Sequence, residues 1–388
     1  MKKMDVYKKS LEKHKKYKGK IEIALKFPIA NKNDLSLAYS PGVAEVSREI
    51  AKKPHSAKDY TLKGNSVAIV SDGSAILGLG NLGALAAIPV MEGKAALFKK
   101  FANIDAFPIC LDTQNEDEII AIVKAIAPVF GAINLEDISA PRCFNIEKKL
   151  KGELNIPVMH DDQHGTAVVV LAGLINSLKL RKSNKEEVKI VLNGAGSAGI
   201  AIAELLLVYG FKNIILNDSK GVIYKGRKDL NSDKKRLASL TNKKNIKGIL
   251  VDSLMGADIF IGVSKGGVLS EEMIKIMNAK PIIFALANPE PEIMPNKAKG
   301  AGAFIIATGR SDYPNQVNNA LAFPGIFRGA LDNNIKQFND DMFIKAALAL
   351  ASSIKNPTTE KIIPTPFDKG VVERIAKVIK YKLVKDSS

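Results

Sequence analysis

The stretch "EVKIVLNGAGSAGIAIAELLLVYGFKNIILND", residues 187–218, decides the fold of the second half of the chain. An apolar run leads into Gly194, Ala195, Gly196, Ser197, Ala198 and Gly199. An amphipathic segment follows, and a second apolar run closes on Asp218. Strand, glycine turn, helix, strand and acid in that order make a βαβ unit. Such glycines let backbone approach a pyrophosphate, and the helix amino terminus offers it free N–H groups. A carboxylate about 20 residues on accepts from the adenosine ribose. The six turn residues and Asp218 are therefore the expected dinucleotide site. Asp218 favours NAD, since a 2′-phosphate faces a like charge there, while Lys220 and Arg227 lie near enough in sequence to admit NADP.

A second G-x-G-x-x-G, "GLGNLG" at 78–83, follows a segment that already contains a turn. No strand-terminal acid comes after it at the usual interval, so its glycines read as packing glycines.

Upstream, "SVAIVSDG", "INLEDIS" and "NIPVMHDD" are short apolar runs that each end in acids. Downstream, "ADIFIGVS", "KPIIFALANP" and "AFIIATGR" are three more runs separated by helix-length segments. Parallel sheets bind ligands outside the carboxyl ends of their strands, so the recurring acids are site candidates. At 388 residues the chain suits two α/β domains. Residues 1–160 form the first, and 161–388 a doubly wound Rossmann-type parallel sheet with C-terminal helices.

Composition narrows the function. Hydrophobic content of 46% with 25% charged residues is that of a folded soluble protein. The formal charge of +17 comes without an aromatic and arginine stripe, which points to solvated lysines and no nucleic-acid partner. A basic dinucleotide-sensing module that binds nucleic acid remains the reading outside enzymes. The longest apolar run, "TAVVVLAGLINSL" from Thr166, is shorter than the roughly 20 residues a membrane span needs. Cys110 and Cys143 stand far apart without a CxxC pair, which suits a reducing cytoplasm.

"MHDDQHGTA", residues 159–167, superficially matches a zinc-protease helix through His160 and His164. "NIPVM" reads as a strand and Gly165-Thr166 as a helix start, so the imidazoles diverge and zinc is disfavoured. Taken with Glu136 and Asp137 of "LEDIS", the two aspartates offer an all-oxygen set of the kind magnesium or manganese prefers.

The segments "LAYSPGVAE", "VMEGKAALF", "INLEDISAP", "HDDQHGTAVVVLAGL", "VLNGAGSAGIAIAELL", "FALANPEPE" and "NQVNNALAFPG", in register from about Leu35 to about Gly329, together resemble malic enzyme in its compact microbial form. The resemblance implies metal-dependent oxidative decarboxylation of L-malate to pyruvate with NAD or NADP. It implies Mg2+ or Mn2+ on Glu136, Asp137 and Asp162, with Asp161 behind them, Lys94 as general base and Tyr39 as general acid. Asn288, Asn318 and Asn319 meet substrate or nicotinamide, and the family implies a homodimer. One position departs from longer members, which carry an arginine before the "ILGLG" segment to hold the substrate carboxylate. Here it is Ala75, which leaves that cation unassigned. Within enzymes, the competing reading is a metal-independent amino acid or hydroxy acid dehydrogenase with the same glycine turn.

Overall fold

The computed structural model describes residues 3–76 and 78–381; the extreme ends of both expected domains lie outside the described residues. Among the described residues there are ten strands: β1 (Ser66–Ser71), β2 (Asp105–Cys110), β3 (Ala132–Leu135), β4 (Val158–His160), β5 (Lys189–Asn193), β6 (Asn213–Asp218), β7 (Gly221–Val222), β8 (Ile259–Gly262), β9 (Ile282–Ala285) and β10 (Ile305–Thr308). They form two sheets. The first has the order β2-β1-β3-β4 and is parallel throughout. The second has the order β10-β9-β8-β5-β6-β7 and is parallel except for β7, which turns back on β6.

The second sheet is doubly wound. β5 lies at its centre, with the chain running outward first through β6 and then, after crossing over, through β8, β9 and β10. The switch point between β5 and β8 is where such a sheet binds a ligand. In the first sheet the equivalent point lies between β1 and β3, and the carboxyl ends there lead into Asp72, Glu136 and Asp137.

All six short apolar runs singled out in the sequence contain strands. β2 went unpredicted because Pro108 interrupts its apolar pattern. As an edge strand it tolerates the missing N–H, and Pro108 sits opposite Ile69 in the ladder.

The helix Asp161–Arg181 joins the two sheets, and fourteen of its 21 residues are buried. It is apolar around most of its circumference because it packs against elements on several sides. It starts four residues earlier than Gly165, where the sequence reading put it. His160, in extended conformation, is its N-cap, so Asp161 and Asp162 occupy the first turn. Carboxylates are favoured at that end of the helix dipole. The first domain's core is closed from the other side by the helix Phe323–Asp332. Its Phe323 and Phe327 rings lie 4.6 and 5.3 Å from Phe98 on the helix Ala84–Ala102.

Candidate active site

Four carboxylates gather where β3 and β4 end. Glu136 and Asp137 follow β3, and Asp161 and Asp162 open the helix after β4. A ligand atom each from Glu136, Asp137 and Asp162 lie within 4.8 Å of one another. Asp162 Oδ2 accepts the backbone N–H of Asp137 at 2.8 Å, which ties the two strand ends together. Asp137 itself has φ +53, an uncommon conformation for a residue with a side chain. Strain of this kind persists where the surroundings fix it, often at functional sites.

Lys94 enters from the helix Ala84–Ala102, buried at 7% exposure. Its ammonium lies 2.6 Å from Asp161 Oδ2 and 2.8 Å from Glu136 Oε1, and 4.4 Å from the centre of the Phe323 ring. Burial alone lowers a lysine pKa, but Asp161, Glu136 and Asp162 overcome it and hold Lys94 well above its ordinary value. Burial pushes Glu136 and Asp161 up to about 7 despite Lys94. Repulsion adds to it, from Asp162 at Glu136 and from Glu136 at Asp161, and a single ammonium leaves it uncompensated. Asp161 Oδ1 is buried with no hydrogen-bond partner. A buried all-oxygen cluster short of positive charge fits a hard divalent cation, with Glu136, Asp137 and Asp162 as its ligands.

Two features of this corner escaped the sequence reading. A Cβ on Gly165 would stand 1.8 Å from Asp161 Oδ1 and 3.3 Å from Asn319 Cβ, so the glycine makes room for both. Glu147, buried on the helix Arg142–Glu153, accepts the backbone N–H of His160 at 3.0 Å and faces His164 Nε2 at 3.0 Å and Lys151 Nζ at 2.8 Å. Burial opposes its charge, but His164 and Lys151 outweigh burial and hold Glu147 well below the usual carboxylate range. Gly165 reads as a helix start in the sequence, and Glu147 is one acid in a basic helix, so neither carries a local signal. His164 stacks on Phe343 with the ring centroids 4.8 Å apart, and neither it nor His160 belongs to the carboxylate group.

The turn after β1 lies against this group. Ala75 N–H donates to the Asp137 carbonyl at 3.0 Å, and the Arg142 guanidinium meets Asp72 at 2.8 Å and Ser139 Oγ at 3.2 Å. Of the first glycine signature, Gly78 is a packing glycine, since a Cβ there would come within 2.3 Å of the Asn288 carbonyl. Gly80 and Gly83 are not: both have open space beside them and positive φ, so they serve the turn. Asn288 thus lies between the domains, its amide also close against Gly309. Asn318 caps the short helix Asn319–Leu321 by accepting the Ala320 N–H at 2.9 Å.

Tyr39 stands apart in the single chain. It ends the helix Lys32–Ala38 and is 70% exposed.

At the second switch point, each glycine of the turn has its own reason. Gly194 has φ +113 and packs on the Val263 carbonyl, and a Cβ on Gly199 would lie 1.7 Å from the Gly194 carbonyl. Gly196 faces open space immediately before the helix Ser197–Tyr209. That is the arrangement of a tight turn, an open approach for pyrophosphate and a close helix contact. Gly194 N–H donates to the Asn217 carbonyl at 2.9 Å, which sets the turn beside the end of β6 and Asp218.

Comparison with known proteins gives this geometry its context. The family description "Malic enzyme, NAD binding domain" matches residues 163–386, and "Malic enzyme, N-terminal domain" matches residues 18–119 and 114–151. The chain belongs to the malic enzyme family. It is 53% identical to the bifunctional malic/malolactic enzyme of Bacillus subtilis, over 97% of this chain and 92% of that protein. It is 55% identical to an NAD-dependent malic enzyme of Geobacillus stearothermophilus, over 93% of this chain and 76% of that protein. An NADP-dependent malic enzyme of Rhizobium meliloti is 51% identical, over 92% of this chain and 49% of that protein. The crystal structure of the NAD-dependent malic enzyme of Thermotoga maritima superposes with a TM-score of 0.92 at 52% identity, covering 95% of this chain and 98% of that one. Similar identity to NAD- and NADP-dependent relatives leaves the coenzyme to be decided by local residues.

Proposed function

We propose that the chain catalyses the divalent-metal-dependent oxidative decarboxylation of L-malate to pyruvate and carbon dioxide, with reduction of NAD or NADP. The observation that carries this reading is the convergence of Glu136, Asp137 and Asp162 beside buried Lys94, at the carboxyl ends of the strands of a sheet that meets a dinucleotide-type domain. Family membership supports it.

Glu136, Asp137 and Asp162 would hold Mg2+ or Mn2+. Bound there, the cation supplies Lewis acidity at the C2 oxygen of malate and neutralises carboxylates that otherwise keep Lys94 protonated. Neutral Lys94 takes the C2 hydroxyl proton, and Asp161, 2.6 Å away, is the onward acceptor. The C2 hydrogen would leave as hydride, which a nicotinamide bound at the glycine turn would accept. The resulting 2-keto acid loses its distal carboxylate as carbon dioxide, and Tyr39 returns a proton to C3 of the enolate. Asn288 and Asn319 orient the substrate with uncharged donors and acceptors, and Asn318 supports the nicotinamide side. Phe323 covers Lys94 and keeps water from it.

A homodimer belongs to the same reading. Ile21, Ile23, Leu25, Phe27 and Ile29 recur at every second position of a segment without helix or strand and are all exposed, and Tyr39 ends the helix that follows. An apolar patch of this extent marks an interaction surface, and a second copy seated on it would shelter Tyr39. Free Cys110 and Cys143 suit the cytoplasm.

The test is isotopic. With L-malate deuterated at C2, label is expected in the reduced nicotinamide and none in the pyruvate. Unlabelled reduced coenzyme would exclude hydride transfer from C2.

A further inference from the structure

At the carboxyl ends of β8 and β9 one acid is buried and takes no part in the proposed chemistry. Glu292 is 0% exposed and lies on the loop between β9 and the helix Pro295–Gly300. Its Oε1 accepts the Ser264 backbone N–H at 2.9 Å and faces the Ser264 hydroxyl at 3.4 Å, and its Oε2 accepts the Ala287 backbone N–H at 3.0 Å. Burial pushes its pKa above the ordinary value, while the Ser264 and Ala287 N–H groups pull it down. Burying an acid is costly, and the fold makes room for this one. A Cβ on Gly262, the last residue of β8, would come within 2.3 Å of Glu292 Cδ. Two donors converge from opposite sides, so the position needs two acceptor atoms, which an ionised carboxylate supplies and an amide does not.

The two donors belong to two sides of the site. Ser264 follows β8, and its Oγ accepts from Asn193 Nδ2 at 2.9 Å. Asn193 ends β5 immediately before Gly194, and its carbonyl accepts the Val263 N–H at 2.9 Å. The Val263 carbonyl is the surface against which Gly194 packs. Glu292 Oε1 therefore braces the wall of the glycine turn. Ala287 directly precedes Asn288, whose carbonyl stands against Gly78 of the first domain. Glu292 Oε2 therefore braces the residue that faces across the cleft. The Glu292 backbone is itself fixed, its carbonyl accepting the Leu269 N–H at 3.1 Å.

We propose that Glu292 is a positioning residue that sets the glycine turn and Asn288 relative to one another, so that a single buried carboxylate aligns the nicotinamide end of the coenzyme with the substrate. This rests on residues 194–199 being the dinucleotide turn and on Asn288 facing the reaction. Hydride transfer needs that alignment closely, since a shift of about 1 Å can cost roughly a hundredfold in rate. A residue that merely held loops together would affect stability and leave the folded enzyme's coenzyme affinity and turnover unchanged.

The experiment compares the native full chain with Glu292→Gln and Ser264→Ala, each established as folded by circular dichroism. NAD affinity is measured by calorimetry, Mn2+ affinity by paramagnetic resonance, and kcat and KM with L-malate at saturating NAD and Mn2+. Glu292→Gln keeps the shape but leaves one of the two N–H groups without an acceptor. It should weaken NAD binding by about tenfold and lower kcat by about tenfold or more, with Mn2+ affinity within about twofold of native, since the metal carboxylates lie on the first sheet. Ser264→Ala, which removes only the link to Asn193, should weaken NAD binding by about threefold. Native NAD affinity and kcat in folded Glu292→Gln, a fall in only one of them, or an equal loss of Mn2+ binding would overturn the assignment. If Glu292→Gln does not fold, Ser264→Ala decides, and unchanged NAD affinity there overturns it. A native chain that binds no NAD would remove the dinucleotide site at 194–199, and this inference with it.

Discussion

Lys94 Nζ and Asp161 Oδ2 are 2.6 Å apart, both buried, in a corner that also holds Glu136 and Asp162. The pair joins the helix Ala84–Ala102 of the first domain to the helix that leads into the second. Its meaning is electrostatic. Without another cation the acids keep Lys94 protonated, and the chemistry proposed for Lys94 requires that hold to be relaxed.

Lys94→Ala should lower L-malate oxidation by about a thousandfold, within the usual range for a lost general base. Steady-state rates with Mn2+, beside circular dichroism to establish folding, make the check. A folded variant with near-native turnover would remove Lys94 from the chemistry.

Stability should depend on pH in the sense set by the acids. Glu136 and Asp161 titrate near 7 in the fold and near 4 when unfolded, so the folded state binds protons more tightly. In EDTA, stability should fall as pH rises from about 5 to 8, and saturating Mn2+ should remove the slope. Urea midpoints at the two pH values, with and without Mn2+, give the answer. Equal midpoints in EDTA would show that burial and mutual repulsion do not raise these acids in the fold.

Much of this site is legible in the sequence because its acids end strands, and period and turn chemistry reveal strand ends. Asp218 was legible for the same reason. What surrounds each acid was not. Lys94 reads as one lysine among many until the fold buries it against Asp161, 67 residues away. Lys234 lies 16 residues beyond Asp218 on another element, so no local pattern signals that it neutralises that carboxylate. The start of the helix at Asp161 was misplaced because Gly165 looks like a turn residue. Its real role is to leave space for a side chain one helical turn earlier.

Glu147→Gln should destabilise the protein by about 3 kcal/mol, the scale for breaking a buried charge cluster. Glu147 accepts the N–H of His160 and pairs with Lys151 and His164, so the change loosens the junction that carries Asp161 and Asp162. Because the native Glu147 pKa is depressed, its contribution is present above its unfolded pKa of about 4 and is lost as pH falls further. Thermal melts at pH 7 and pH 3.5 should show the variant's deficit shrinking at the lower pH. A deficit that is constant with pH would mean that Glu147 acts through packing alone.

Tyr39→Phe should impair pyruvate formation from L-malate more than the reduction of a supplied 2-keto acid, because only the first needs a proton delivered to C3. Comparing the two rates in one preparation separates the roles. Equal losses would remove Tyr39 as the acid.

The most direct measurement follows nicotinamide reduction with L-malate, using NAD and NADP in parallel, each with Mn2+ and with EDTA, while pyruvate is assayed in the same samples. The account predicts one pyruvate per reduced coenzyme with Mn2+ and loss of both products in EDTA. Turnover that persists in EDTA, or coenzyme reduction without pyruvate, would contradict it.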